Sequence, residues 1–274
     1  MSESAFAKLH TDASIAENAG VVRILRRYMG DDGVLCASGD FCARLAMNPS
    51  DRDAAYRLRY EIFNLELGEG LESAHLSGRD TDEFDHICEH VLVEEVASGR
   101  IVGTYRLQHG DIAKRNLGYY SEREFDLGPY EELRSEMLEL GRACIHVDFR
   151  TMPVLMLLWR GIARYAQHLG ARYMIGCSSL TSQDVVVGSD MYHGLSRFLV
   201  EETLRTRPTA ACGFALRAAP VAQPEPPKLL KSYLTIGARI CSAPAIDREF
   251  GTIDFLTFID LEKLAPSMKS RLLK

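Results

Sequence analysis

Residues 137–153 read Met137-Leu138-Glu139-Leu140-Gly141-Arg142-Ala143-Cys144-Ile145-His146-Val147-Asp148-Phe149-Arg150-Thr151-Met152-Pro153. Met137 to Val147 is apolar enough for a buried strand, interrupted by Gly141. In an ideal strand Glu139 and Arg142, three positions apart, point to opposite faces. A bulge at Gly141 would bring them to one face. It would also part this strand from a neighbour and release backbone N–H groups able to hold a thioester carbonyl and its oxyanion. Pro153 then opens a helix to Leu169, with Val154, Leu158, Ile162, Tyr165 and Leu169 on one face. Proline in the first turn and Gly170 just past the end is the asymmetry expected of helix ends. The intervening Phe149, Arg150, Thr151 and Met152 lie at the helix N-terminus, whose unpaired amides and positive dipole suit a phosphate.

Upstream, Phe41 to Met47 reads as a strand and Ser50-Asp51-Arg52-Asp53 as a capping box with Ser50 at the cap. The helix that follows carries Ala55, Leu58 and Ile62 on one face, with Arg57 and Arg59 on different sides of it. Residues 64–85, rich in glycine and acid, read as a long loop, a feature usually tied to function or mobility. Cys88–Val96 and Ile101–Gln108 form a hairpin through Ala97-Ser98-Gly99-Arg100, and 110–135 holds loop and a short helix. Downstream come a buried strand (Ala171–Cys177), a helix (Met191–Leu204), a Pro-rich loop (Pro220–Pro227) and a strand (Ile253–Ile259). The order implies class α/β (α+β), a mixed sheet with helices on both faces. Residues 1–39 are expected to form a polar tail with a short basic amphipathic stretch, Val21–Met29, a candidate for peripheral docking on anionic lipid. Residues 40–274 are expected to form a single domain.

The 274 residues are 46% hydrophobic with a net charge of −6. This composition excludes disorder as the main state and disfavours nucleic acid as a partner. Seven widely spaced cysteines without a CxxC argue against a disulfide framework or a zinc ribbon and for a reducing cytoplasm. Neither a signal peptide nor an apolar run long enough for a bilayer is evident. His86 and His90 are four apart, but no third ligand stands near them, so no metal is expected.

Taken in order, several segments resemble the GNAT acyltransferase superfamily. They are Leu58-Arg59-Tyr60-Glu61-Ile62-Phe63, Asp80 to Val93, Gly103-Thr104-Tyr105-Arg106-Leu107, Glu139-Leu140-Gly141-Arg142, Leu158-Trp159-Arg160-Gly161-Ile162, Ile175-Gly176-Cys177-Ser178-Ser179-Leu180 and Pro226 to Tyr233. Within the superfamily the chain is similar to ornithine-lipid (lyso-ornithine lipid) N-acyltransferases and N-acyl amino acid synthases, and more distantly to acyl-homoserine-lactone synthases. The likeness spans about residues 40–262. It departs from the usual acetyltransferase phosphate loop, which is glycine-rich where this chain has Phe149-Arg150-Thr151-Met152-Pro153.

The resemblance implies a mostly antiparallel central sheet. It also implies transfer of a long fatty acyl chain, with or without a 3-hydroxyl, from a thioester to the α-amine of an amino acid. The donor would be the acyl-phosphopantetheine of acyl carrier protein, or acyl-CoA, with no permanently bound cofactor. Ornithine is the leading acceptor. Glycine or tyrosine, or a silent acyl- or carrier-binding module, are the alternatives. An α-ammonium must lose a proton before attacking, and a carboxylate is the natural acceptor. Glu139 is the candidate base, with Asp82 or Asp85 assisting, since their grouping with Glu83 would raise a pKa through like charges. His90 is a candidate helper near the amine. Arg142, Arg57 or Arg59 are candidates to clamp the acceptor carboxylate. Phe63, Trp159, Leu155, Met156, Phe125 and Met174 are candidates for an acyl tunnel, with Cys177 and Ser178 as further substrate contacts. Phe149, Arg150, Thr151 and Met152 would hold the phosphopantetheine. Arg150, Arg160, Arg164, Lys228 and Lys231 are candidates for docking an acidic carrier, and Tyr192 for protonating the leaving thiol.

Overall fold

The structure, a computed structural model, describes residues 33–273; the candidate lipid-docking stretch Val21–Met29 lies outside them. The described residues form a nine-stranded sheet. Its strands are β1 (Val34–Ser38), β2 (Phe41–Leu45), β3 (Glu89–Glu95), β4 (Arg100–His109), β5 (Met137–Ile145), β6 (Tyr173–Leu180), β7 (Arg239–Ile240), β8 (Ala245–Asp247) and β9 (Thr252–Asp260). The order is β1-β2-β3-β4-β5-β6-β9-β7, with β8 on the outer part of β9. Every pair is antiparallel except β5 and β6. The helices are α1 (Pro49–Tyr60), α2 (Ala74–Ser77), α3 (Gly110–Arg115), α4 (Met152–Leu169), α5 (Val185–Gly194), α6 (Lys228–Ile236) and α7 (Pro266–Leu272).

Three expectations need correction. The cap of α1 is Asn48, not Ser50: its side-chain oxygen accepts the Asp51 N–H at 2.9 Å, and Pro49 fills the first turn where a missing N–H costs nothing. The 64–85 loop is shorter than expected, because α1 runs on into a π-helical turn, Glu61–Glu66, that buries Ile62, Phe63 and Asn64. The helix expected at Met191–Leu204 is α5, begun by Asp184 and followed by two short 3-10 turns. Ahead of residue 40, β1 pairs with β2, and Leu35 and Cys36 are buried against α4.

The sheet has two unlike faces. On one, Val91, Val93, Tyr105, Leu107, Leu138 and Leu140 pack under α4, together with Tyr233 and Ile236 of α6. The buried face of α4 includes Val154, Leu157, Leu158, Trp159, Ile162 and Tyr165. At roughly 1.5–3 kcal/mol per buried large apolar side chain, this helix is the main anchor of that layer. On the other face Leu58 and Ile62, from α1 and its extension, pack on Cys144, and Ala55 packs on Leu92.

Strand β5 is bulged as its sequence suggests. Gly141 pairs with Arg106 and Cys144 with Thr104, three steps on β5 against two on β4. The residue that takes up the extra step in the left-handed region is Arg142 (φ 50°), the only non-glycine with positive φ among the described residues. Glu139 and Arg142 thereby share the face opposite Leu138 and Leu140. The ladder to β6 covers Met137 to Glu139 only. Beyond it the Leu140 carbonyl leans over Gly176, where a Cβ would come within 2.1 Å of that oxygen. Glycine is required there by close backbone approach.

Candidate active site

Where β5 and β6 part, a cavity of about 880 Å3 opens. Its lining comes from both faces of the sheet. Trp159, Leu155, Met156, Tyr233 and Ile236 belong to the α4–α6 side. Arg106, Gln108, Glu139, Arg142, Cys177 and Asp254 belong to the α1 side. The cavity therefore passes through the sheet, apolar at one end and polar at the other, with the bulge of β5 between them.

A buried ionic network underlies the polar end. Arg59 grips Asp85 with both terminal nitrogens (2.7 and 2.9 Å) and also holds Asp80. Arg106 bonds Asp82 at 2.5 Å, and Arg142 bonds Asp82 at 3.0 Å with Asp80 3.3 Å from its Nε. Three guanidiniums thus face three carboxylates. Arg59 and Arg106, above all Arg59, hold the Asp85 carboxyl well below the usual carboxylate range against the opposing effect of burial. This corrects the expectation of a pKa raised by like charges: the arginines outweigh the neighbouring acids, so Asp85 carries a fixed charge rather than a mobile proton. Asp82 is tied to two guanidiniums and caps the turn at Phe84. His90 is wholly buried 3.6 Å from Asp85 and is held neutral mainly by burial. Neither Asp82, Asp85 nor His90 lines the cavity.

Glu139 does line it. Its Oε1 accepts the Ser121 N–H (2.8 Å) and hydroxyl (2.6 Å), and its Oε2 accepts the Tyr120 N–H (2.8 Å). A carboxylate offers about four lone-pair sites, so one remains at Oε2. Burial raises its pKa although these donors pull the other way. Its cross-strand partner Gln108 also lines the cavity, 2% exposed, with neither side-chain polar atom partnered. A buried amide without partners signals a ligand or water contact.

The remaining residues divide. Phe63, Trp159, Leu155, Met156, Cys177, Ser178, Arg150, Thr151 and Met152 line the cavity, as do Lys228 and Lys231. Arg57 does not: it is exposed and pairs with Asp53. Arg59 is sealed inside the ionic network with no exposure. Phe149 turns away to pack on Phe41 and His146. Phe125 and Met174 sit in separate core clusters, and Tyr192, on α5, packs against the cluster of Met191, Leu195 and Ile246; Arg160 and Arg164 lie off the cavity. Sequence reasoning passed over Gln108, Tyr120, Ser121, Glu69, Asp247 and Asp254, all of them lining residues. Only the unusual Asp247 and Asp254 near and within an otherwise apolar strand carried any signal in the sequence. Among the described residues, Glu124, Cys177 and Asp254 bring three ligand-type atoms within 4.8 Å of one another.

The model of the acetyltransferase (GNAT) domain matches residues 58–160. The L-ornithine N(alpha)-acyltransferase of Brucella abortus is 32% identical over 252 residues, covering 86% of this chain and 90% of that protein. The chain belongs to this family of GNAT acyltransferases. The L-ornithine N(alpha)-acyltransferase of Rhizobium meliloti is also 32% identical, over 81% of the chain and 80% of its own length. An N-acyl amino acid synthase from uncultured soil microbes shares the fold, with a TM-score of 0.52 at 10% identity over 86% of this chain and 97% of that one. In this acyltransferase no helix of the described residues is long and apolar enough to cross a membrane.

Proposed function

We propose that the acyltransferase moves a long fatty acyl chain from the phosphopantetheine thioester of an acyl carrier protein to the α-amine of ornithine. The observation that carries the reading is the cavity through the sheet: an apolar half sized for an acyl chain meets a polar half lined by Glu139, Gln108 and Arg142. Kinship with proteins named for ornithine supports the acceptor. The acyl chain lies against Trp159, Leu155 and Met156, at about 0.8 kcal/mol per buried methylene. The thioester carbonyl sits at the bulge, where the edge of β5 freed from β6 supplies backbone N–H donors. The pantetheine phosphate meets the N-terminus of α4 at Thr151 and Met152.

Glu139 takes a proton from the α-ammonium, directly or through one water. The amine nitrogen then attacks the carbonyl carbon; the N–C bond forms, the C–S bond breaks, and the second amine proton leaves with the thiol. Arg142 draws the acceptor carboxylate. Lys228, with Arg150 and Lys231 once they exchange their Glu66 and Glu225 partners, attracts an acidic carrier. Glu139→Gln is expected to lower kcat by about 10²–10⁴ while circular dichroism shows the fold intact; a folded variant with the wild-type rate would remove Glu139 from the reaction.

A further inference from the structure

Three carboxylates line the polar side of the cavity and a fourth stands behind the lining. Asp254 and Asp247 line it from β9 and β8, Glu69 lines it from the segment before α2, and Glu124 stands behind Cys177, its Oε1 3.8 Å from the thiol. In contrast to the balanced network around Arg59, none of the four is in an ion pair among the described residues. Glu69 meets only the Thr181 hydroxyl at 3.4 Å. Asp254 accepts the Ser179 hydroxyl and the Thr252 hydroxyl, the latter at 2.9 Å, and Asp247 accepts two backbone N–H groups and the Tyr120 hydroxyl. Arg142, whose field reaches Glu124 and Asp254, makes its ion pairs with Asp80 and Asp82 rather than with them. Glu124 supplies the second, separate sign: it is 3% exposed and its Oε2 has no partner at all. Buried acceptors of this kind are retained where a donor arrives from outside.

We propose that Asp254 and Glu124, supported by Asp247 and Glu69, form the pocket for a second, side-chain ammonium on the acceptor, and so select a dibasic amino acid over a neutral one of equal length. This rests on the reading of the chain as an ornithine acyltransferase and deepens it. The spacing fits. Steps of 2.6 Å from the Glu139 carboxylate to the Ser121 hydroxyl, 3.7 Å to the Cys177 thiol and at most 4.8 Å to the Asp254 carboxylate set an upper limit on the separation of the two carboxylates, one that an extended or bent ornithine can span. The two nitrogens of extended ornithine lie roughly 5–6 Å apart, about 11 Å with a hydrogen bond at each end. The α-amine can thus meet Glu139 while the distal ammonium meets Asp254 and Glu124. A metal suits the same trio less well. Burial and the flanking Glu124 and Asp254 keep the Cys177 thiol protonated, whereas a metal asks for the thiolate. An ammonium asks only for acceptors.

The test compares ornithine with norvaline, the same carbon chain without the terminal amine, using the full chain. Calorimetric binding and competitive turnover with an acyl thioester are both measured, for wild type, Asp254→Asn and Glu124→Gln, each checked by thermal melting. Wild type is expected to prefer ornithine by at least about 10². Each variant is expected to cut that ratio at least tenfold, the second serving if the first is unstable. A wild type without preference in binding overturns the pocket, as do folded variants that keep the full ratio. So does a preference that vanishes when wild type is dialysed against a chelator. A wild type that prefers ornithine in binding but transfers no acyl group keeps the pocket and overturns the acyl-transfer reading instead.

Discussion

At the scale of single residues, the site is governed by which buried charges are balanced. Asp85 answers to two guanidiniums and is held ionised; Asp254 and Glu69 do not, and burial pushes them up to about 6 and about 7. Asp85→Asn leaves Arg59 facing a neutral amide, and breaking a buried pair costs about 3–5 kcal/mol. The sign with pH follows from linkage. A carboxylate with a depressed native pKa contributes stability that is present above the unfolded value and lost as pH falls through the native one. Denaturant melts at pH 7 are therefore expected to show the full deficit of Asp85→Asn, and melts below about pH 4 a shrinking one. An equal deficit at both pH values would contradict the ionic role. The sequence offered Asp82, Asp85 and Glu83 as neighbours of like sign. The partners that decide the outcome, Arg59 and Arg106, are 26 and 21 residues away from Asp85, so their effect was legible only once the strands had been paired.

At the scale of elements, the decisive device is the break between β5 and β6. The strand–bulge–helix order was legible because it is local: Gly141 marked the interruption, and Pro153 and Gly170 marked the ends of α4. Which residue carries the left-handed step was not legible. The pairing with β4 sets it, and it falls on Arg142, whose guanidinium is thereby aimed at Asp80 and Asp82. Nor was Gly176 singled out, because its reason lies in a carbonyl from another strand. Gly176→Ala must displace the Leu140 backbone, an overpacking change of about 1–3 kcal/mol. The expected outcome is a lowered melting temperature together with a transfer rate reduced at least tenfold, as the strands are held at the wrong separation. A variant with the wild-type rate would show that the approach of β5 to β6 is immaterial to the site.

At the scale of the whole molecule, the two faces of the sheet are joined by the cavity, and the proposed reaction places the acyl chain on one face and the acceptor on the other. The amphipathic stripe of α4 made its layer legible from sequence. The polar face was harder to read, because its residues, Gln108, Glu139, Cys177 and Asp254, come from four strands and meet only in the sheet. Of the basic residues lining the cavity, Arg150 pairs with Glu66 and Lys231 with Glu225. The most direct measurement is tandem mass spectrometry of the product formed by the purified protein from ornithine and a long-chain acyl carrier protein, with acyl-CoA in parallel. The account predicts ornithine bearing one acyl amide at its α-nitrogen, formed faster from the carrier protein. Acylation of the side-chain nitrogen, or no acylated ornithine from either donor with folded protein, would contradict it.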